Sequence, residues 1–110
     1  MKTYALTINL KDDPEAVRQY RYHHAHPWPE VTEALRAVGI LDLRIYLLGR
    51  RLLMTLETTD AFQPEVDFPR YLTLHPQCQA WEDLMGTFQE RVPEAKEGEK
   101  WAYLELIYRL

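Results

Sequence analysis

ILDLRIYLLGRRLLMTLE, residues 40–57, decides the fold of this chain. Two apolar, strand-like runs, Ile40–Leu48 and Leu52–Glu57, meet at Gly49-Arg50. A Gly-X pair between two strands predicts a hairpin closed by a type II′ turn, because glycine alone takes the positive φ of its first corner without cost. On either side of the hairpin lies a helical pattern, and beyond each helical pattern a further strand.

On the N-terminal side, Tyr4, Leu6, Ile8 and Leu10 alternate with Thr3, Thr7 and Asn9. That period predicts a half-buried strand over residues 3–10. Asp12 or Asp13 followed by Pro14 is a cap-then-proline helix start, and the helix is expected to run to about His24. Pro27 and Pro29 interrupt it, since each lacks an N–H and restricts the residue before it. The helix then resumes, with Trp28, Val31, Leu35 and Val38 at helical spacing and Gly39 as its stop. Backbone polar groups freed at such a break need other partners, so residues 23–29 are a plausible place for a site.

On the C-terminal side, residues 58–69 read as a connection carrying Pro64 and Pro69. A helix is expected from about Arg70 to Gln89, with Pro76 as a possible restart and Trp81, Leu84, Met85 and Phe88 as its buried stripe. A polar loop over residues 93–100 leads to a final alternating strand, Trp101–Tyr108. The order strand, helix, strand, strand, helix, strand is the split βαβ pattern of an α+β, ferredoxin-like βαββαβ domain. Its helices cover one face of the sheet. A second copy is the simplest cover for the other, which predicts a homodimer closed into a dimeric α/β barrel.

Composition agrees with one domain spanning residues 1–110. The chain has 110 residues, too few for two independent cores. Its net charge of −4 gives no electrostatic footprint for nucleic acid, and the short clusters Arg18/Arg21 and Arg50-Arg51 do not alter that. No apolar run is long enough to cross a membrane, and the alternating start is not a signal peptide. A single cysteine, Cys78, suits a reducing cytoplasm and reads as a small buried hydrophobe.

The chemistry must come from particular side chains, because this scaffold hosts many activities. Three of the four histidines, His23, His24 and His26, crowd at the helix break; the fourth is His75. Histidine exchanges protons near neutral pH, although a polar helix end explains such a cluster equally well. Metal binding fits poorly, since adjacent histidines diverge on a helix and no HxxxH or HExxH pair is present. Tyr20 and His24, four apart, share a helix face. Trp81 with Glu82 places an indole beside a carboxylate, a pairing suited to the C–H face and the hydroxyls of a sugar, although Trp81 also fits a core stripe. Phosphate loops, zinc spacings and a nucleophile elbow are missing, so the expected chemistry uses no cofactor. Two other readings stay open on the residues alone: a cofactor-free monooxygenase of the same barrel class, and a small-ligand-binding dimer without turnover.

Taken together, Tyr20-x-x-x-His24-x-x-x-Trp28-Pro29-Glu30, Ile45-Tyr46-Leu47 and the run Cys78-Gln79-Ala80-Trp81-Glu82-Asp83-Leu84-Met85 resemble the L-rhamnose mutarotase family across nearly the whole chain. The resemblance implies a cofactor-free aldose 1-epimerase acting on a 6-deoxyhexose. It makes His24 the proton donor, Tyr20 a sugar-binding residue and Trp81 a wall of the pocket; Glu82 beside it either binds a ring hydroxyl or serves as the opposing base. Two positions depart from the rhamnose pattern. Leu43 stands where rhamnose-acting members carry a sugar-binding tyrosine, and Glu82 stands where they carry a second tryptophan. Asp42–Gly49, Trp81-Glu82 and the Phe88–Trp101 segment instead resemble members assigned to L-fucose.

Overall fold

The computed structural model describes residues 1–110. Its elements are β1 (Lys2–Leu10), α1 (Pro14–Ala25), α2 (Pro29–Ala37), β2 (Ile40–Leu48), β3 (Arg51–Thr58), α3 (Pro64–Thr73), α4 (Pro76–Gly86), β4 (Gln89–Glu90) and β5 (Ala102–Tyr103). One antiparallel sheet runs in the order β2-β3-β1-β4, with β5 also on β1. This is the ferredoxin-like arrangement, with each helical region of the βαββαβ pattern divided in two.

Proline starts every helix. Pro14, Pro29, Pro64 and Pro76 each occupy the first helical turn, where the missing N–H costs nothing and the fixed φ favours the helix. This accounts for the difference between the expected C-terminal helix and the observed pair. Pro64 begins a helix inside the stretch read as a connection. Pro69 is carried within that helix, and Leu74-His75 separates it from the next. Asp67 steadies the start of α3 by accepting the Gln63 N–H at 2.8 Å.

The hairpin forms as its sequence predicts. Leu48 pairs with Arg51 across a two-residue loop. Gly49 has φ +60°, and no residue other than glycine has positive φ, so Arg50 does not share the left-handed conformation of a type I′ turn. Gly39, between α2 and β2, is also obligatory. Its φ is +107°, and a Cβ there would meet Thr59 Oγ1 at 2.8 Å.

Leu6, Ile8 and Leu10 of β1, with Leu52, Met54 and Leu56 of β3, form the buried floor of the core. Tyr20, Val31, Ala34, Tyr71, Cys78, Trp81 and Met85 roof it from the helices. Cys78 is wholly buried, as a small hydrophobe should be. The opposite sheet face is mixed. Register places Thr3 opposite Glu57, Ala5 opposite Thr55, Thr7 opposite Leu53 and Asn9 opposite Arg51 there, with the exposed Tyr46 and Leu48 of β2 beside Leu53 and Arg51.

A second exposed apolar stretch lies at the C-terminus. The expected strand Trp101–Tyr108 pairs only over Ala102–Tyr103, against Leu6 and Thr7. Leu104 adds one bond to the Ala5 carbonyl at 2.8 Å. Beyond that point no strand in the chain meets it, and Leu106, Ile107, Tyr108 and Leu110 stand in solvent.

Candidate functional site

Between the helical layer and the sheet lies a cleft of about 800 Å³. Its walls include Tyr20 and His24 from α1, Trp81 and Glu82 from α4, and Leu43 from β2. All four site residues expected from the sequence therefore face one cavity, and so does Leu43, which with Glu82 departs from the rhamnose pattern.

His24 is held on three sides. Its ring stacks on Tyr20, with centroids 4.3 Å apart and planes 26° from parallel. Trp81 meets it nearly edge-on at 5.3 Å. Its Nδ1 lies 2.8 Å from the Tyr20 carbonyl oxygen. A carbonyl only accepts, so Nδ1 carries the proton, and in the neutral ring Nε2 is left with a free lone pair. Burial lowers the imidazole pKa below its ordinary value. The His23 charge adds to this, while the hydrogen bond to Tyr20 opposes it. The resting ring is therefore neutral at neutral pH, with Nε2 able to accept a proton.

Tyr20 is buried, and burial pushes its phenol up to about 12; Glu82 adds to the shift and a hydrogen bond from Gln89 acts against it. It stays protonated throughout the neutral range. Trp81 also packs against Trp28 at 5.1 Å with planes 74° apart. This contact fixes the indole plane, and such aromatic pairs contribute roughly 0.5–1.5 kcal/mol each beyond their buried area. Trp81 is thus both core and cavity wall. The two readings of its helical stripe are not exclusive.

Glu82 is ion-paired. Lys100 Nζ donates to its Oε1 at 3.0 Å, and both residues line the cleft. Gly86 leaves room for the lysine, since a Cβ there would come within 3.2 Å of Nζ. The pair places a carboxylate and an ammonium side by side at the rim, an acceptor and a donor for neighbouring hydroxyls.

The remaining histidines separate cleanly. His23 stacks on Phe88 and meets Trp81 edge-on, outside the cleft lining. His26 is exposed and donates through Nδ1 to the Tyr22 carbonyl at 3.0 Å. His75 is the N-cap of α4, its Nδ1 accepting the Gln77 N–H at 3.0 Å. Only His24 of the four faces the cavity.

Sequence reasoning missed Lys100 and Gln89, both on the cleft wall. Each comes from the segment after α4, and their contacts reach back across 18 and 69 residues. No local period carries such a signal.

A family profile described as L-rhamnose mutarotase matches residues 3–110. A UPF0734 protein from Dictyostelium discoideum is 38% identical over 112 residues, covering 99% of this chain and 90% of that protein. The L-fucose mutarotase of Xanthomonas campestris pv. campestris is 35% identical over 112 residues, covering 100% of this chain and 89% of its own. Among solved structures, the L-rhamnose mutarotase FA22100 of Formosa agariphila superposes with a TM-score of 0.71 over 100% of this chain and 99% of that one. At 16% identity that likeness speaks for the fold alone. Cavity, fold and relatives converge: this chain belongs to the L-rhamnose mutarotase family of isomerases, aldose 1-epimerases of 6-deoxyhexoses.

Proposed function

We propose that the chain interconverts the α and β anomers of L-fucose, in preference to L-rhamnose, with His24 as the proton carrier. The observation that carries the reading is the hydrogen bond from His24 Nδ1 to the Tyr20 carbonyl, which leaves Nε2 as the working atom on the cleft wall. In ring opening, Nε2 takes the proton from the anomeric hydroxyl. The C1–O5 bond then breaks, and the imidazolium so formed returns the proton to the ring oxygen, O5. Both oxygens are bonded to C1, so one nitrogen serves both. Rotation about C1–C2 and closure on the other face of the aldehyde run the same steps in reverse. Proton transfer by a positioned side chain contributes about 10²–10⁴-fold. Tyr20 holds a sugar oxygen, Trp81 lies against the apolar C–H face, and Glu82 with Lys100 binds hydroxyls at the rim.

The fucose preference is supported by the cavity wall and by the relative that bears that name. L-Fucose and L-rhamnose differ in configuration at C2 and C4, so discrimination must come from groups that bind those hydroxyls. At Leu43 the wall offers no hydroxyl, and at Glu82 it offers a charged acceptor instead of a second indole. A site matched to one hydroxyl pattern leaves polar groups unpaired against the other.

The test is saturation-transfer proton NMR of both sugars side by side. Faster exchange above buffer for L-fucose than for L-rhamnose is expected, with Leu43→Tyr plus Glu82→Trp moving the preference toward rhamnose. Equal or rhamnose-favoured exchange overturns the fucose assignment. No acceleration of either sugar overturns the mutarotase mechanism for both.

The active form is a homodimer on this reading. The tail from Leu104 to Leu110 carries a run of exposed apolar side chains that nothing in the chain covers, and a second copy is its fitting cover.

A further inference from the structure

Gln89 is buried, 8% exposed, and lines the cleft although nothing in the family motifs gives it a role. It stands in the two-residue strand β4, paired with Leu10 at the end of β1. Its Nε2 lies 3.3 Å from the Tyr20 hydroxyl oxygen. An amide NH2 only donates, so the phenol oxygen accepts, and the phenol proton is free for another acceptor. No protein group takes it. The amide oxygen Oε1 of Gln89 is the one buried side-chain polar atom without a hydrogen-bond partner. A half-satisfied buried amide weakens a fold, and an apolar side chain of the same size would pack there without that penalty. The fold therefore gives no reason for a glutamine at this position, whereas the phenol does.

We propose that Gln89 is a positioning residue: by donating to the Tyr20 oxygen it turns the phenol proton into the cleft, so that Tyr20 donates to a sugar oxygen. This deepens the mutarotase reading and rests on it. Tyr20 is then a fixed donor, and neutral His24 stacked above it is a fixed acceptor. The two rings present opposite polarity to adjacent atoms of one substrate.

The experiment measures KM and kcat for L-fucose anomer exchange in wild type, Gln89→Met, Gln89→Glu and Tyr20→Phe, with Gln89→Met also in the Tyr20→Phe background. Gln89→Met removes the donor and the unpartnered oxygen together, and is expected to melt at or above the wild-type temperature. Its KM is expected to rise about 3–10-fold, the range for one neutral hydrogen bond, with kcat changed less. Gln89→Glu keeps the shape but accepts the phenol proton, drawing it out of the cleft, and is expected to raise KM at least as far. In the Tyr20→Phe background Gln89→Met is expected to do nothing more, since its effect runs through the phenol. An unchanged KM in both Gln89 variants overturns the proposal, as does an equal loss with and without the Tyr20 hydroxyl. If Gln89→Met fails to fold, Gln89→Glu decides alone. Absent exchange in wild type overturns the mutarotase reading, and this proposal with it. Normal wild-type exchange with unaffected variants overturns only the role of Gln89.

Discussion

One hydrogen bond organises the site at the scale of residues. Because His24 Nδ1 is committed to a carbonyl, the protonation state of Nε2 alone determines what the ring can do. Burial lowers its pKa, so the neutral acceptor form persists to a lower pH than in an exposed histidine. The sign of the pH dependence follows. With a non-ionising sugar, kcat/KM after subtraction of the buffer rate is expected to be level near neutrality. It should fall as pH drops through a value below the ordinary imidazole pKa of about 6.5. Tyr20, up at about 12, adds no second limb in the neutral range. An acid limb centred above 6.5, or activity that rises on acidification, contradicts a neutral resting His24. Tyr20, His24, Trp81 and Glu82 could be read from spacing and resemblance because each lies within a helical motif. Gln89 and Lys100 could not, since their partners are brought to them only by the return of the chain after α4.

Among the elements, prolines and caps set the boundaries. The hairpin, the first strand and the broken first helix follow from local rules: a Gly-X turn, a period of two, and an Asp13 side chain that accepts the Glu15 N–H at 3.0 Å. The region of α3 and α4 obeys the same rules, but Pro64, inside a stretch that reads as a connection, starts a helix. A proline stops a helix it interrupts and opens one it begins, and only the neighbouring turn decides which. The last strand departed for a different reason. Alternation records that a segment has two unlike faces, not that a partner strand lies within the same chain. His75 offers a clean test of element against site. As the N-cap of α4 it stabilises a helix and lies outside the cleft lining. His75→Ala is expected to lower stability by about 1 kcal/mol in urea titration and to leave anomer exchange intact. Loss of exchange in a well-folded His75→Ala would give His75 a part in the reaction.

On the scale of the whole molecule, two surfaces differ in kind. The open sheet face is mixed, with Thr3, Thr7, Asn9, Arg51, Thr55 and Glu57 beside Leu53 and the exposed Tyr46 and Leu48 of β2. The tail is the more apolar: Ile107 is 88% exposed and Tyr108 72%. Deleting residues 104–110 is accordingly expected to convert a dimer into a monomer in sedimentation at micromolar concentration. A full-length chain that sediments as a monomer contradicts the dimer. No helix is long and apolar enough to cross a membrane. The part played by His24 is independent of the assembly and is measured on the reaction itself, by saturation-transfer proton NMR of L-fucose at neutral pH with wild type and His24→Ala at matched concentration. Anomer exchange well above buffer is expected for wild type, with a loss of about 10²–10⁴-fold in a folded His24→Ala. A folded His24→Ala that exchanges anomers as fast as wild type would contradict that role.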